Sequence, residues 1–151
     1  MLAVWSRPEV TGNSNQIEAK LGGSGLGLVA LVSIEQLQPG FTPLPVMQKL
    51  GSFILHMQRS DGSFSAKYNP VRGGAQDNWQ SLYYPGEAAL GLLALYTVDP
   101  NEKCLHAATK ALVFLADHRV NSDVVPPDHW TLLSTAKLLS LQHKTAGEIP
   151  T

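Results

Sequence analysis

The segment KLGSFILHMQRSDGSF, from Lys49 to Phe64, joins an amphipathic helical pattern to a tight turn. Its apolar residues recur at helical spacing as far as Gln58, and the pair Asp61-Gly62 that follows favours a sharp reversal of the chain. A glutamine side chain at this point can hydrogen-bond backbone groups that helix ends leave unpaired. The segment therefore predicts a helix whose end is tied to a neighbouring helix while the chain turns back.

The other apolar residues predict four more helices, separated by segments that carry prolines and glycines. Together with the helix of the opening segment, the predicted ranges are 24–37, 46–58, 87–98, 102–119 and 129–144. The first 21 residues are polar and lack a helical period, so we expect an N-terminal arm followed by helical hairpins over residues 22–144. Since no strand is predicted, we expect an all-α fold in a single domain, residues 1–151.

The helices resemble one another in pairs. Residues 25–36 match residues 89–100, and residues 49–58 match residues 110–119, at offsets of about 64 and 61 residues. Residues 132–141 resemble the start of a third unit. This pattern predicts helical hairpin repeats, which must stack side by side to bury their apolar faces. The alternative is a chance likeness between amphipathic helices of similar composition.

The opening segment resembles the QW motif of triterpene cyclases, in which basic, aromatic, aliphatic, glutamine and glycine residues stand at fixed spacing. The matching positions are Lys49, Phe53, Ile54, Gln58 and Gly62. Leu50 stands where the motif has a small residue, and Phe64 stands where it has tryptophan. In the second unit Arg119 takes the place of the glutamine. The resemblance implies a structural device for stacking hairpins into an α/α toroid.

The wider pattern DGSF, YYPGEAALGLLALY and DHW resembles proteins of the six-hairpin glycosidase type. That resemblance implies an α/α toroid and a carbohydrate substrate, because the superfamily includes hydrolases, polysaccharide lyases and sugar epimerases. A complete toroid needs about twice as many helices, so we expect a partial toroid, completed by the rest of a longer protein or by another copy. The acidic DxDD-type motif of hopene and squalene cyclases is absent, as are the zinc-ligand sets of prenyltransferases and lanthionine cyclases.

Two carboxylates stand at predicted helix starts beside aromatic residues. Glu87 follows YYPG at the third helix, where the helix N-terminus should lower the pKa of its side chain. Asp128 precedes the fifth helix, next to His129, a side chain suited to proton transfer. Because glycosidases use two carboxylates, we predict these three as the catalytic residues. The alternatives are a first-turn acid for Glu87, an N-cap for Asp128 and a structural or exposed role for His129.

Aromatic side chains near the two carboxylates are the predicted substrate-binding residues, since aromatic faces stack on sugar rings and on polyprenes alike. They are Trp79, Tyr83, Tyr84 and Trp130, with Asp77 on the glycine-bearing loop as a reserve candidate. A place in the core is the alternative for each aromatic residue. The glycine-rich stretch 22–27 lacks the dinucleotide-binding fingerprint, so we predict that it lets helices approach closely.

Composition narrows the possible partners. The formal charge is −1, charged residues make up 15% of the chain and no basic block occurs, so nucleic acid is not an expected partner. The longest apolar run, residues 25–32, is too short for a membrane span, and no signal peptide is recognisable. The single cysteine, Cys104, fits a reducing compartment and a structural role, so we expect a cytoplasmic protein. The histidines show no ligand spacing, and we expect neither a metal nor a cofactor.

Three functional hypotheses follow, and whether the chain is an enzyme is left open. The first is a carbohydrate-active or glycan-binding toroid domain that acts as a hydrolase, lyase or epimerase. The second is a terpene-cyclase-like, lipid-binding toroid with a deep apolar cavity. The third is a non-catalytic helical association domain, which low charge and short length favour and which predicts a homo-oligomer.

Overall fold

A computed structural model describes residues 1–11, 17–76 and 79–147. Five helices of 13 residues or more dominate these segments, at positions that confirm the predicted helices to within three residues at each end. They are α2 (Leu21–Leu37), α3 (Leu44–His56), α4 (Tyr84–Val98), α5 (Glu102–Arg119) and α6 (His129–Gly147), with the short α1 (Pro8–Thr11) before them.

A small antiparallel sheet accompanies the helices, so the chain is mainly helical and the all-α prediction missed one feature. The strands are β1 (Trp5–Ser6), β2 (Glu18–Lys20), β3 (Lys67–Asn69) and β4 (Gly74–Gln76), hydrogen-bonded in the order β1-β2-β3-β4. Ala19 pairs with Trp5 on one side and with Tyr68 on the other. The sheet therefore joins the predicted N-terminal arm to the long segment between α3 and α4.

Helix α4 lies at the centre of the helical packing. It packs most extensively against α2, less and to a similar extent against α5 and α6, and least against α3. A Cβ atom at Gly25 of α2 would come 2.5 Å from the backbone oxygen of Glu87, and one at Gly91 would come 2.8 Å from the oxygen of Gly25. These contacts leave no room for side chains, which confirms that the glycine-rich stretch brings two helices together.

The opening segment of the sequence ties α3 to α5 as expected. The side-chain amide of Gln58 donates hydrogen bonds to the backbone oxygen of Ala107 in α5, at 2.8 Å, and to that of Gly62, at 3.2 Å. Gly62 has φ of +98° and lies against Lys110, where a Cβ atom would come 2.7 Å from the backbone oxygen. Glycine is the residue that adopts this conformation without strain, and its position fixes the turn.

The core consists mainly of leucine and alanine side chains from the five long helices. Cys104 is buried within it, and burial raises the pKa of its thiol to about 11. Such a thiol remains protonated at neutral pH, as expected for a structural cysteine. Within the described segments, every helix is too short or too polar to cross a lipid bilayer.

Candidate functional site at three helix N-termini

The N-terminal ends of α2, α4 and α6 lie side by side. A Cβ atom at Gly22, in the first turn of α2, would overlap both the carboxylate of Glu87 and the ring of Tyr84. On the other side of α4, a Cβ atom at Gly86 would come 2.6 Å from the backbone nitrogen of Thr131 in α6. Helix N-termini carry partial positive charge, so this end of the molecule favours anionic groups.

Glu87 is a buried carboxylic acid in the first turn of α4, with 7% of its surface exposed. Burial raises the pKa of its side chain, and the negative charge of Asp128 adds to the effect, while His129 opposes it. Within the described residues, no hydrogen bond reaches its carboxylate oxygens. The expectation of a lowered pKa is therefore wrong, because burial removes water from around the charged form and the negative charge of Asp128 is close by.

Asp128 caps α6 and pairs with a cation. Its Oδ1 accepts the backbone N–H of Thr131 at 3.1 Å, and its Oδ2 accepts the Thr131 hydroxyl at 2.6 Å and Arg119 Nη2 at 2.8 Å. This confirms the N-cap interpretation given as the alternative for this residue. Asp128 therefore forms an ion pair with Arg119 as well as the cap; a catalytic role for it stays a prediction.

The predicted aromatic residues form two groups of ring contacts near the two acids, Trp79 with Tyr84 and Tyr83 with Trp130 through His129. We call Trp79, Tyr83, Tyr84, His129 and Trp130 the aromatic cluster. Ring centroids are 5.4 Å apart for Trp79 and Tyr84, 5.6 Å for Tyr83 and His129, and 4.9 Å for His129 and Trp130. Trp79 and Tyr83 are 45% and 39% exposed, so part of the cluster faces solvent. The reserve candidate Asp77 lies outside the described residues.

Sequence reasoning missed two cations beside these groups. The Lys67 ammonium lies 4.9 Å from the centre of the Trp79 ring and 3.4 Å from Glu18. Nothing in the pattern indicated this, because Lys67 and Glu18 belong to strands of three residues each. The sequence did single out Arg119, since it takes the place of Gln58 in the second predicted unit. Arg119 ties the end of α5 to the N-cap of α6, much as Gln58 ties the end of α3 to α5.

Comparisons of the chain with protein-family models, with curated proteins and with solved structures each find no match. A raised pKa favours the protonated form of a carboxylic acid, which is the form that donates a proton, and partly exposed rings beside it can stack on a ring-shaped ligand. Three or more His, Cys, Asp or Glu side chains arranged to hold a metal ion are not found in the described part of the chain.

Proposed function

We propose that the chain is a carbohydrate-active or glycan-binding domain of the α/α-toroid type, with Glu87 as its proton donor. The observation that carries the proposal is the position of Glu87: a buried acid with a raised pKa, at three adjacent helix N-termini, next to the aromatic cluster. Partly exposed aromatic rings offer the flat apolar faces on which sugar rings stack. A buried acid supplies the protonated carboxyl that cleavage of a glycosidic bond requires.

The helix arrangement supports the toroid part of the proposal. In the sequence, α2, α4 and α6 begin successive repeat units, and in the fold α4 contacts both of the others while α3 and α5 follow as their partners. Gln58 and Arg119 make comparable ties at the ends of α3 and α5. We propose that this row is a section of a toroid, with its inner helices pointing their N-termini at the substrate.

The two acids differ in environment, as glycoside hydrolysis demands. Glu87 is biased towards its neutral form by burial, which raises the pKa of its side chain, whereas Asp128 forms an ion pair with Arg119. In the proposed reaction Glu87 protonates the leaving oxygen as the glycosidic bond breaks, and the Asp128 carboxylate stabilises the positive charge on the sugar. A water molecule then adds to the anomeric carbon, and its proton returns to Glu87. His129 is exposed and its ring lies beside that of Tyr83.

A test compares Glu87→Gln with wild type on a panel of neutral and acidic oligosaccharides. We expect wild type to bind or cleave at least one of them, and Glu87→Gln to lose any turnover while it keeps binding, since the amide preserves shape but carries no acidic proton. Glu9→Gln, at an exposed acid of α1, is the matched control and should behave as wild type. Absence of binding across the panel, or an active Glu87→Gln variant, would contradict the proposal.

A specific observation favours an association domain as the second candidate. Helix α6 leaves three leucines largely exposed, Leu132, Leu133 and Leu139, at 71%, 50% and 49%. Exposed apolar side chains on one helix are typical of surfaces that another protein covers. Analytical ultracentrifugation decides this candidate: a monomer at all concentrations argues against a homo-oligomer, whereas a dimer abolished by Leu132→Ser supports it.

A further inference from the structure

A cavity of about 440 Å³ adjoins the aromatic cluster at Tyr84. It lies between the turn that follows α3, the second half of α5 and the segment before α4. Its lining includes Arg59, Phe64, Leu82, Phe114 and Arg119. Tyr84 lines it too and is the residue it shares with the aromatic cluster, but Glu87 and Asp128 do not line it. The size falls within the range of about 300–1,000 Å³ that small-molecule sites occupy.

Aromatic and aliphatic side chains form much of the wall. Phe64 comes from the turn after α3, and Phe114 and Leu115 come from α5. The His118 ring lies 3.9 Å from the Phe114 ring, and its Nδ1 lies 2.9 Å from the Phe114 backbone oxygen. The contact with this oxygen fixes the orientation of the imidazole next to the aromatic wall. The wall therefore fits a ring or a short hydrocarbon chain.

Two guanidinium groups line the same cavity. The Arg119 side chain is 19% exposed, and among hydrogen bonds between described residues its guanidinium makes one, from Nη2 to Asp128. A guanidinium has five N–H donors, so most of those on Arg119 remain available to a ligand or water. Arg59 donates from Nη1 to the Ser63 hydroxyl at 3.1 Å and to the Phe64 backbone oxygen at 3.5 Å. Among the described lining residues the carboxylate is Asp61, which accepts both the N–H and the hydroxyl of Ser63 and interacts with the charge of Arg59.

We propose that this cavity binds a small organic anion, a carboxylate or a phosphate ester, with its charged oxygens towards Arg59 and Arg119 and its ring against Phe64 and Phe114. Planar guanidinium groups match both kinds of oxyanion, and they bind them more strongly where water is partly excluded. The proposal does not use Glu87, although the cavity adjoins the proposed carbohydrate site through Tyr84 and through Arg119, which pairs with Asp128.

The test titrates ¹⁵N-labelled full chain with benzoate, phenyl phosphate and benzyl alcohol at constant ionic strength, followed by NMR. Benzoate and phenyl phosphate represent the two anion classes, and benzyl alcohol is the neutral counterpart. We expect at least one anion to shift resonances of residues around the cavity and to bind at least tenfold more tightly than benzyl alcohol. The tighter of the two anions identifies the class.

Single-residue variants distinguish anion binding in the cavity from nonspecific attraction of the anion to positive charges elsewhere on the surface. Arg59→Gln should weaken anion binding at least tenfold, whereas Arg72→Gln, at an exposed arginine outside the cavity, should leave it unchanged. Phe114→Leu keeps an apolar helix residue but removes the aromatic wall, and should weaken binding several-fold even if Arg59→Gln fails to fold. The proposal is overturned if no resonance shifts at about 10 mM probe, because a site with a millimolar Kd would be largely occupied at that concentration. Equal binding of benzyl alcohol, or equal losses in Arg59→Gln and Arg72→Gln, would also overturn it.

Discussion

Replacing Asp128 by alanine should destabilise the protein by about 2–3 kcal/mol. The change removes the N-cap of α6, which typically costs about 1 kcal/mol. It also removes the carboxylate from Arg119, and hydrogen bonds to charged groups are worth about 1.5–3 kcal/mol. The lower end of the second range applies, rather than the penalty of about 3–5 kcal/mol for breaking a buried ion pair, because Arg119 lines a cavity in which water can solvate it.

Thermal and urea unfolding, followed by circular dichroism, measure this cost. For a chain of 151 residues the expected loss lowers Tm by about 4–12 °C. Asp128→Asn separates the two contributions, since asparagine is as good an N-cap as aspartate but carries no charge, and it should cost about 1–2 kcal/mol. Asp123→Ala, an exposed acid in the same connection, is the control and should change stability by less than about 0.5 kcal/mol.

Two results would refute this reasoning. If Asp128→Ala stays within about 0.5 kcal/mol of wild type, the contacts with Thr131 and Arg119 do not hold α6 in solution. If Asp128→Asn costs as much as Asp128→Ala, the ion pair accounts for the whole effect and the N-cap contributes nothing. A double-mutant cycle with Arg119→Gln gives the pairwise energy directly.

Three further perturbations test other contacts of the fold. Gly22→Ala should cost about 1–3 kcal/mol in urea unfolding because its methyl group overlaps the Glu87 carboxylate, whereas Gly23→Ala meets only ordinary contacts and should not destabilise. Glu87→Gln should be as stable as wild type below pH 4 and more stable than wild type above neutral pH. The reason is that a raised pKa makes wild type lose stability as Glu87 ionises; equal pH profiles of stability for the two proteins would contradict this. Gln58→Ala loses the hydrogen bonds to Ala107 and Gly62 and should cost about 1–2 kcal/mol in thermal unfolding, while an unchanged Tm would show that the tie is not needed.

The five long helices were predictable because each runs for three turns or more, long enough for apolar residues to repeat on one face. The sheet was not predictable, since strands of two or three residues contain no measurable alternation and their pairing partners are distant in sequence. Pairing of β2 with β3 brings together residues 18–20 and 67–69, a relation that local patterns do not record.

The sequence predicted which residues form the candidate site, but not the direction in which the pKa of Glu87 is shifted. Glu87 and the aromatic residues were chosen because they stand at or near predicted helix starts, and the fold places the N-terminal ends of α2, α4 and α6 side by side. The direction of the pKa shift of Glu87 depends on burial by α2 and on the neighbouring Asp128, which only the tertiary structure provides. The sequence showed that Arg119 stands in the second predicted unit where the first has Gln58, but it did not show that its partner is Asp128.

The indole N–H resonances of the three tryptophans test the proposed glycan site most directly. Trp79 and Trp130 belong to the aromatic cluster, whereas Trp5 lies in β1 against Tyr68 and serves as an internal control. In ¹H–¹⁵N spectra recorded during titration with the oligosaccharide panel, we expect the Trp79 and Trp130 signals to shift together and saturate, with Trp5 unchanged. Signals that stay fixed for Trp79 and Trp130, or that move only for Trp5, would contradict the proposed function.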